Sequence, residues 1–478
     1  MSVISHQTVR TLRWCSVICQ ANTMLSILLL LLLLLPRTAS AQVGDIELRA
    51  VIGTGRTKPA PGCALAVYRE GKLQHLVSDA VANLDTGALI DGDTQFYAAS
   101  ISKQFTAIAV VQLHLAGDLD LDRDIRIWLP ELPQYQEQIT PRMLLQHSSD
   151  IIDSLALVSM VHGPGQAGSF SRTATLDLVL AQTATNFVPG TSVHYSNGAY
   201  LLLSELVQRV SGQSFATYIQ ENILQPIGMR DSFVLEGEPH PYRNRAHGYI
   251  EQNGGWVVRD TYPRYGGSGG LMVTLNDLAR YEYDIEVGKR VWTPDLRAIM
   301  ETPASLTNGQ VTIAMDRKAK LAYAMGLMVG QRNGRHVVEH GGGAEGFRHM
   351  YTRLPAHRMG VATFCNIGGS RALDKNVAVI ELLLGAAATA TSPMLTGLYR
   401  STSLPVRYVV IQTQSDTVLV SALPDGARIP SFQITLEHVG DGEYRKGSYV
   451  LRRVADDPDV LVIGTLRASA LKARRIVP

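Results

Sequence analysis

The sequence predicts an α/β (α+β) chain: a sheet flanked by helices, a mostly helical lobe inserted into it, and a small all-β domain at the C-terminal end. Strand-like runs stand on both sides of a long helix-rich middle, so the sheet is assembled from two distant stretches of chain. The segment from Ser100 to Leu115 is apolar nearly all round, which places a helix inside the core and not on its surface. After Gly385-Ala386-Ala387-Ala388 helical periodicity stops, and short strands separated by turn clusters take over.

The 478 residues divide accordingly into residues 1–41, 42–390 and 391–478. The first span is a signal peptide: Arg10 and Arg13 precede the unbroken apolar run Leu28 to Leu35, and small residues lead to a cleavage point after Ala41. That run is shorter than the ~20 residues needed to span hydrocarbon, so no stable membrane span remains after cleavage and the chain is expected to be exported, periplasmic or secreted. Pro61 to Val67 and Gln74 to Val77 are hairpin strands around a Glu70-Gly71 turn. The core helix from Ser100 follows and ends at Ala116-Gly117. The helical lobe contains Met143 to Gln146, Leu176 to Gln182, Ala199 to Val210 and Phe215 to Leu224. Strands return at Gly326 to Val329, Arg335 to Glu339, Arg348 to Leu354 and Gly360 to Phe364, and Leu373 to Leu384 is an amphipathic helix. The last span holds about six short strands in a β-sandwich or barrel, among them Tyr408 to Gln412, Thr417 to Val420 and Val460 to Thr465.

Composition is that of a globular protein with a sizeable core, 46% apolar and 18% charged. Loss of Arg10, Arg13 and Arg37 with the leader brings the net charge near minus one, and no basic stripe argues for a nucleic-acid partner. Cys63 and Cys365 remain, each in an apolar strand-like stretch that suits a buried free thiol; a disulfide is the alternative in an oxidising compartment. No Cys/His cluster has metal-ligand spacing, and no metal or cofactor is implied.

Ser100 and Lys103 put a hydroxyl and an amine three positions apart where a helix begins, so their side chains share one face. Serine becomes a nucleophile when something takes its proton, and a lysine shielded from water with a lowered pKa can do so. Tyr195-Ser196-Asn197 lies on a loop running into the helix near Ala199, where a phenol and an amide can orient an attacking hydroxyl and hydrogen-bond a substrate. His340-Gly341-Gly342-Gly343 follows the strand Val337 to Glu339, and its glycines let a substrate lie against bare backbone. The three motifs together point to an acyl-transfer enzyme.

In these motifs the chain resembles the class C β-lactamase and penicillin-binding-protein-like serine hydrolases, a family that also holds esterases and D-amino-acid peptidases. The likeness runs from about Gln42 to Ala390, and Thr94 to Ala107, Ile139 to Ser149, Pro189 to Met229 and Gly267 to Leu278 are similar to further segments of the family. It implies a β-lactamase/transpeptidase-like antiparallel sheet and a trailing β-barrel. It also implies that Ser100 attacks the carbonyl, Lys103 accepts its proton, and Tyr195 passes that proton to the leaving group and later activates water. Asn197 would hold Lys103 and substrate in register, while the backbone N–H groups of Ser100 and Gly343 form the oxyanion hole.

His340-Gly341-Gly342 stands where relatives typically have Lys-Thr-Gly, and this departure bears on substrate. A largely neutral histidine and a residue without a side chain grip a substrate carboxylate poorly, so an ester, or a peptide recognised by its amine end, is expected. Arg348 could restore a cation if it points inward. Asp150 stands where glycine is usual and Glu345 where proline is common; a carboxylate at Glu345 would attract an amine. The expected function is an exported serine hydrolase acting on a small ester, amide or peptide. A D-aminopeptidase or D-alanyl carboxypeptidase, then a β-lactamase, are the alternatives among enzymes, and an acylated penicillin-type sensor is the alternative outside them. Oligomeric state is not legible.

Overall fold

The structure, a computed structural model, describes residues 43–53, 59–162, 167–236, 242–309, 319–385, 395–402, 404–414, 417–427, 430–440, 443–446, 449–454, 457–465 and 472–476. The leader expected over residues 1–41 lies outside the described residues.

Two separated stretches of chain build one antiparallel sheet. Its strands are β1 (Cys63–Arg69), β2 (Lys72–Val77), β3 (Lys320–Tyr323), β4 (Met328–Arg332), β5 (Arg335–Ala344), β6 (Phe347–Leu354) and β7 (Met359–Cys365), in the spatial order β3-β4-β5-β6-β7-β1-β2. Glu70 (φ 52°) and Gly71 (φ 75°) supply the two left-handed residues that a two-residue hairpin needs between β1 and β2. β7 returns beside β1, with Cys63 opposite Cys365. Here the expectation of free thiols is overturned: the two cysteines form a disulfide. They are 302 residues apart in sequence, and only the antiparallel register brings them together.

Helix α1 (Asp45–Ile52) packs on β1 and β2, and α5 (Ala372–Leu384) packs on β6 and β7; the two also pack on each other. Asn376 of α5 donates to Thr352 Oγ1 (3.2 Å), so the face of β6 that carries residues 348, 350 and 352 looks towards α5. The opposite face receives the turn that carries Ser100. A single 3-10 turn, Ala99–Ser102, leads into α2 (Lys103–Ala116), so the regular helix starts three residues later than Ser100. α2 has buried residues on all sides, packs on the lobe helix α4 (Asn197–Ser211), and stops at Gly117, whose φ of 85° a side chain would disfavour. The lobe also contains Pro141–Leu145, α3 (Ser154–His162), Arg172–Leu180 and Phe215–Ile219.

The C-terminal strands close into a barrel of eight, from Gly397–Ser401 round to Lys472–Arg475, each paired with its sequence neighbour and the first with the last. Tyr399, Val410, Val420, Leu436, Leu451 and Leu461 belong to its buried core. Glu443–Lys446 and Lys472–Arg475 carry too many charges to show apolar alternation, and register alone reveals them as strands. Arg407 of the barrel pairs with Glu47 of α1, and Gln433 Nε2 donates to Ala50 O (3.1 Å).

Candidate active site

Ser100 sits half-buried in the 3-10 turn. The residue before it, Ala99, has φ 48°, a left-handed conformation that costs a non-glycine residue of order 1–3 kcal/mol and persists only where surroundings impose it. Those surroundings are visible: Ala98 N donates to Leu271 O (2.9 Å), and His349 Nε2 lies 3.0 Å from Tyr97 O. A Cβ on Gly342 would come within 2.5 Å of Ala98 O, so glycine there lets the turn rest on β5.

Lys103 is wholly buried. Its Nζ lies 3.2 Å from Ser100 Oγ, 2.8 Å from Asn197 Oδ1 and 2.8 Å from Ser268 O. Burial pushes the amine down to about 7, against the opposing pull of the Asp153 carboxylate. The Tyr195 ring lies under the same amine, 4.7 Å from Nζ to centroid. Burial raises the Tyr195 phenol well above its ordinary value, so the resting group is a protonated donor.

Asn197 is the first residue of α4. Its backbone N–H (2.7 Å) and Nδ2 (2.8 Å) both donate to Asp153 Oδ2. Asp153 does not stand out in the sequence, because it also caps α3 by accepting from Ala156 N (2.8 Å), and an aspartate before a helix ordinarily means no more than that. His147 likewise does not stand out in the sequence, lying in a segment that runs from a helix into a loop. Its Nδ1 accepts from Ser196 N (3.1 Å) and its ring packs at a tilt against Tyr195, centroids 4.3 Å apart, which holds the tyrosine loop in place.

His340 lies within β5, which runs through to Ala344, so the expectation that the glycines follow the strand is corrected. Its Nδ1 is 2.6 Å from Gly341 O, which assigns the proton of the neutral ring to Nδ1; Nε2, 3.2 Å from Tyr323 OH, then accepts. Burial, with Lys103 nearby, pushes its pKa down to about 4, so the ring carries no charge at pH 7. β4 pairs with β5 only as far as Glu339, leaving Gly341, Gly342 and Gly343 beyond its reach. Arg348 is paired with Gly343 in register and lies on the α5 face, three positions out of phase with His340. Its guanidinium binds the Ala344 and Phe347 carbonyls, so it supplies no cation to the face that carries Ser100. Glu345 stands in the tight β5–β6 turn, half-buried.

Asp150 (φ 53°) fills its left-handed position with a buried carboxylate that accepts from Asn186 N and from Phe187 N (2.8 Å). A cavity of about 590 Å³ opens beside these groups, lined by His147, Ile152, Asp153, Val193, Tyr195 and Met328 among others. A larger one, about 860 Å³, lies between α1, α5 and the barrel and is lined by none of Ser100, Lys103, Tyr195, Asn197 and His340. Among the described residues no cluster of His, Cys, Asp and Glu could hold a metal, and no helix is long and apolar enough to cross a membrane.

Comparison with known proteins agrees with this arrangement. The beta-lactamase family profile matches residues 48–384. A D-aminopeptidase of Gluconobacter oxydans is 26% identical over 404 residues, 82% of this chain and 72% of that one. A D-aminopeptidase of Brucella anthropi is 25% identical over 68% of this chain, which spans 59% of that enzyme's length. Among solved structures, an octameric penicillin-binding protein homologue from Pyrococcus abyssi superposes with a TM-score of 0.63 at 22% identity, over 87% of this chain and 96% of that one. The chain therefore belongs to the beta-lactamase family and is a serine hydrolase of that family.

Proposed function

We propose that the protein is exported and cleaves an amide or ester bond through an acyl-enzyme on Ser100, with substrates recognised by an amine end and not by a carboxylate. One observation carries the chemistry: the buried Lys103 amine, its pKa near 7, touches Ser100 Oγ and two carbonyl-type oxygens. A neutral amine has two N–H groups and one lone pair. Asn197 Oδ1 and Ser268 O take the two hydrogens, so the lone pair faces the Ser100 hydroxyl.

In the first step Ser100 Oγ bonds to the carbonyl carbon while its proton passes to Lys103 Nζ. Collapse of the tetrahedral adduct breaks the C–N or C–O bond, and the proton travels by way of Tyr195 to the leaving amine or alcohol. Water, deprotonated by the same pair, then releases the acid and restores Ser100. Gly343 and Ser100 backbone N–H groups stabilise the oxyanion in both steps, a contribution typically of about 100- to 1000-fold.

The substrate reading is supported by three described residues that offer a carboxylate no cation: His340 is neutral and engaged, Gly341 has no side chain, and Arg348 faces α5. Asp153 and Asp150 line the cavity instead, and two relatives bear the name D-aminopeptidase. The test is a panel of D-alanine p-nitroanilide, p-nitrophenyl butyrate and a chromogenic cephalosporin. The amine-bearing anilide is expected to turn over and the cephalosporin to be poorest, with Ser100→Ala inert towards all three. Turnover by Ser100→Ala would remove the mechanism, and a preference for the cephalosporin would remove the substrate class.

A further inference from the structure

We propose that Asp153 is a positioning residue for proton transfer: it locks the Asn197 side-chain amide with its oxygen towards Lys103, and so aims the Lys103 lone pair at Ser100. The proposal rests on the Ser100 acyl-enzyme reading above and adds a residue to it.

An asparagine amide offers a donor on one side and an acceptor on the other, and nothing intrinsic to it selects the orientation. Here the selection comes from Asp153 Oδ2, which takes hydrogens from both Nδ2 and the backbone N–H of Asn197 at 2.8 and 2.7 Å. A carboxylate only accepts, so Nδ2 must face Asp153 and Oδ1 must face Lys103. Were the amide reversed, Nδ2 would point at the Lys103 amine, whose lone pair would accept from it and turn away from Ser100. The backbone bond matters equally, because it fixes the first residue of α4 against the first turn of α3.

Asp153 also acts through its charge. The groups around the Lys103 amine are Ser100 on its own turn, Ser268, Tyr195, Asn197 and Tyr200 from the lobe, and His147 and His340, both neutral through burial. Asp153 is the carboxylate whose field reaches the amine, and it holds the Lys103 pKa up against desolvation.

The test is the rate at which a fluorophosphonate probe acylates Ser100, measured between pH 5 and 9 in the full chain. This readout does not depend on the natural substrate. In the parent the rate rises through about pH 7 as Lys103 loses its proton. Asp153→Asn keeps the cap on α3 and an acceptor for Asn197 but removes the charge. Its rising limb is expected at lower pH, with much of the plateau rate retained. Asp153→Ala frees the amide to reverse, and a plateau loss of about 100-fold is expected, together with the same displacement of the limb. A limb unmoved in Asp153→Asn, or Asp153→Ala acylating as fast as the parent, overturns the proposal. No acylation of the parent at any pH would instead overturn the Ser100 reading, so the two failures are separable.

Discussion

At the scale of single residues, chemistry and geometry are both local. Ser100 and Lys103 are legible in the sequence because three positions span one helical turn, so their proximity needs no tertiary information. That the amine is buried and lowered to about 7 does need it, since desolvation is supplied by Tyr195, Tyr200 and the lobe. Asp150 shows how a residue can override a backbone preference. Glycine would relieve its positive φ by about 1–3 kcal/mol in all, but it would also delete two charge-assisted hydrogen bonds, to Asn186 N and Phe187 N, each worth about 1.5–3 kcal/mol. The second effect is larger. Asp150→Gly is expected to lower stability by about 1–2 kcal/mol in urea unfolding; an unchanged or raised midpoint would show that the carboxylate contributes nothing to folding.

At the scale of elements, the decisive contact is the turn that carries Ser100 against β5. The sequence presents His340 to Gly343 as a glycine run, and a run alone cannot say which glycine is needed for packing and which for access. The structure separates them. A methyl at 342 would meet the backbone oxygen of Ala98 at 2.5 Å, whereas one at 343 meets nothing closer than Arg348 at 3.8 Å. Gly342→Ala is therefore expected to push the turn off the strand, costing about 1–3 kcal/mol and most of the activity. Gly343→Ala should melt at the parent's temperature; equal melting of both variants would contradict the assignment. Arg348 makes the same point about phase. The strand was legible, but the face on which its guanidinium falls follows from the register Gly343 to Arg348 and the seat of α5 on that side.

At the scale of the whole molecule, β1 and β7 must meet across 302 residues, and the disulfide between them closes that loop permanently. A cross-link of this span acts mainly by restricting the unfolded chain, with a contribution of up to about 5 kcal/mol. Unfolding in urea with and without reductant is expected to show a lower midpoint when Cys63 and Cys365 are reduced, and Cys63→Ser should reproduce it. Coincident curves would mean the sheet register alone holds the ends. The barrel follows the same logic of closure: β-alternation in the sequence indicates strands, while the choice of barrel over sandwich depends on the last strand pairing with the first.

The sequence by itself determined the order of elements, the apolar helix that must be buried, the three motifs and the family resemblance, because each is written in side chains a few residues apart. Tertiary structure alone decided that the cysteines pair, that Arg348 turns from the face that carries Ser100, that His340 is neutral and occupied, and that Asp153 accepts from Asn197. These depend on register and burial, and no spacing along the chain encodes which face of a strand meets the core or which carboxylate an amide will find.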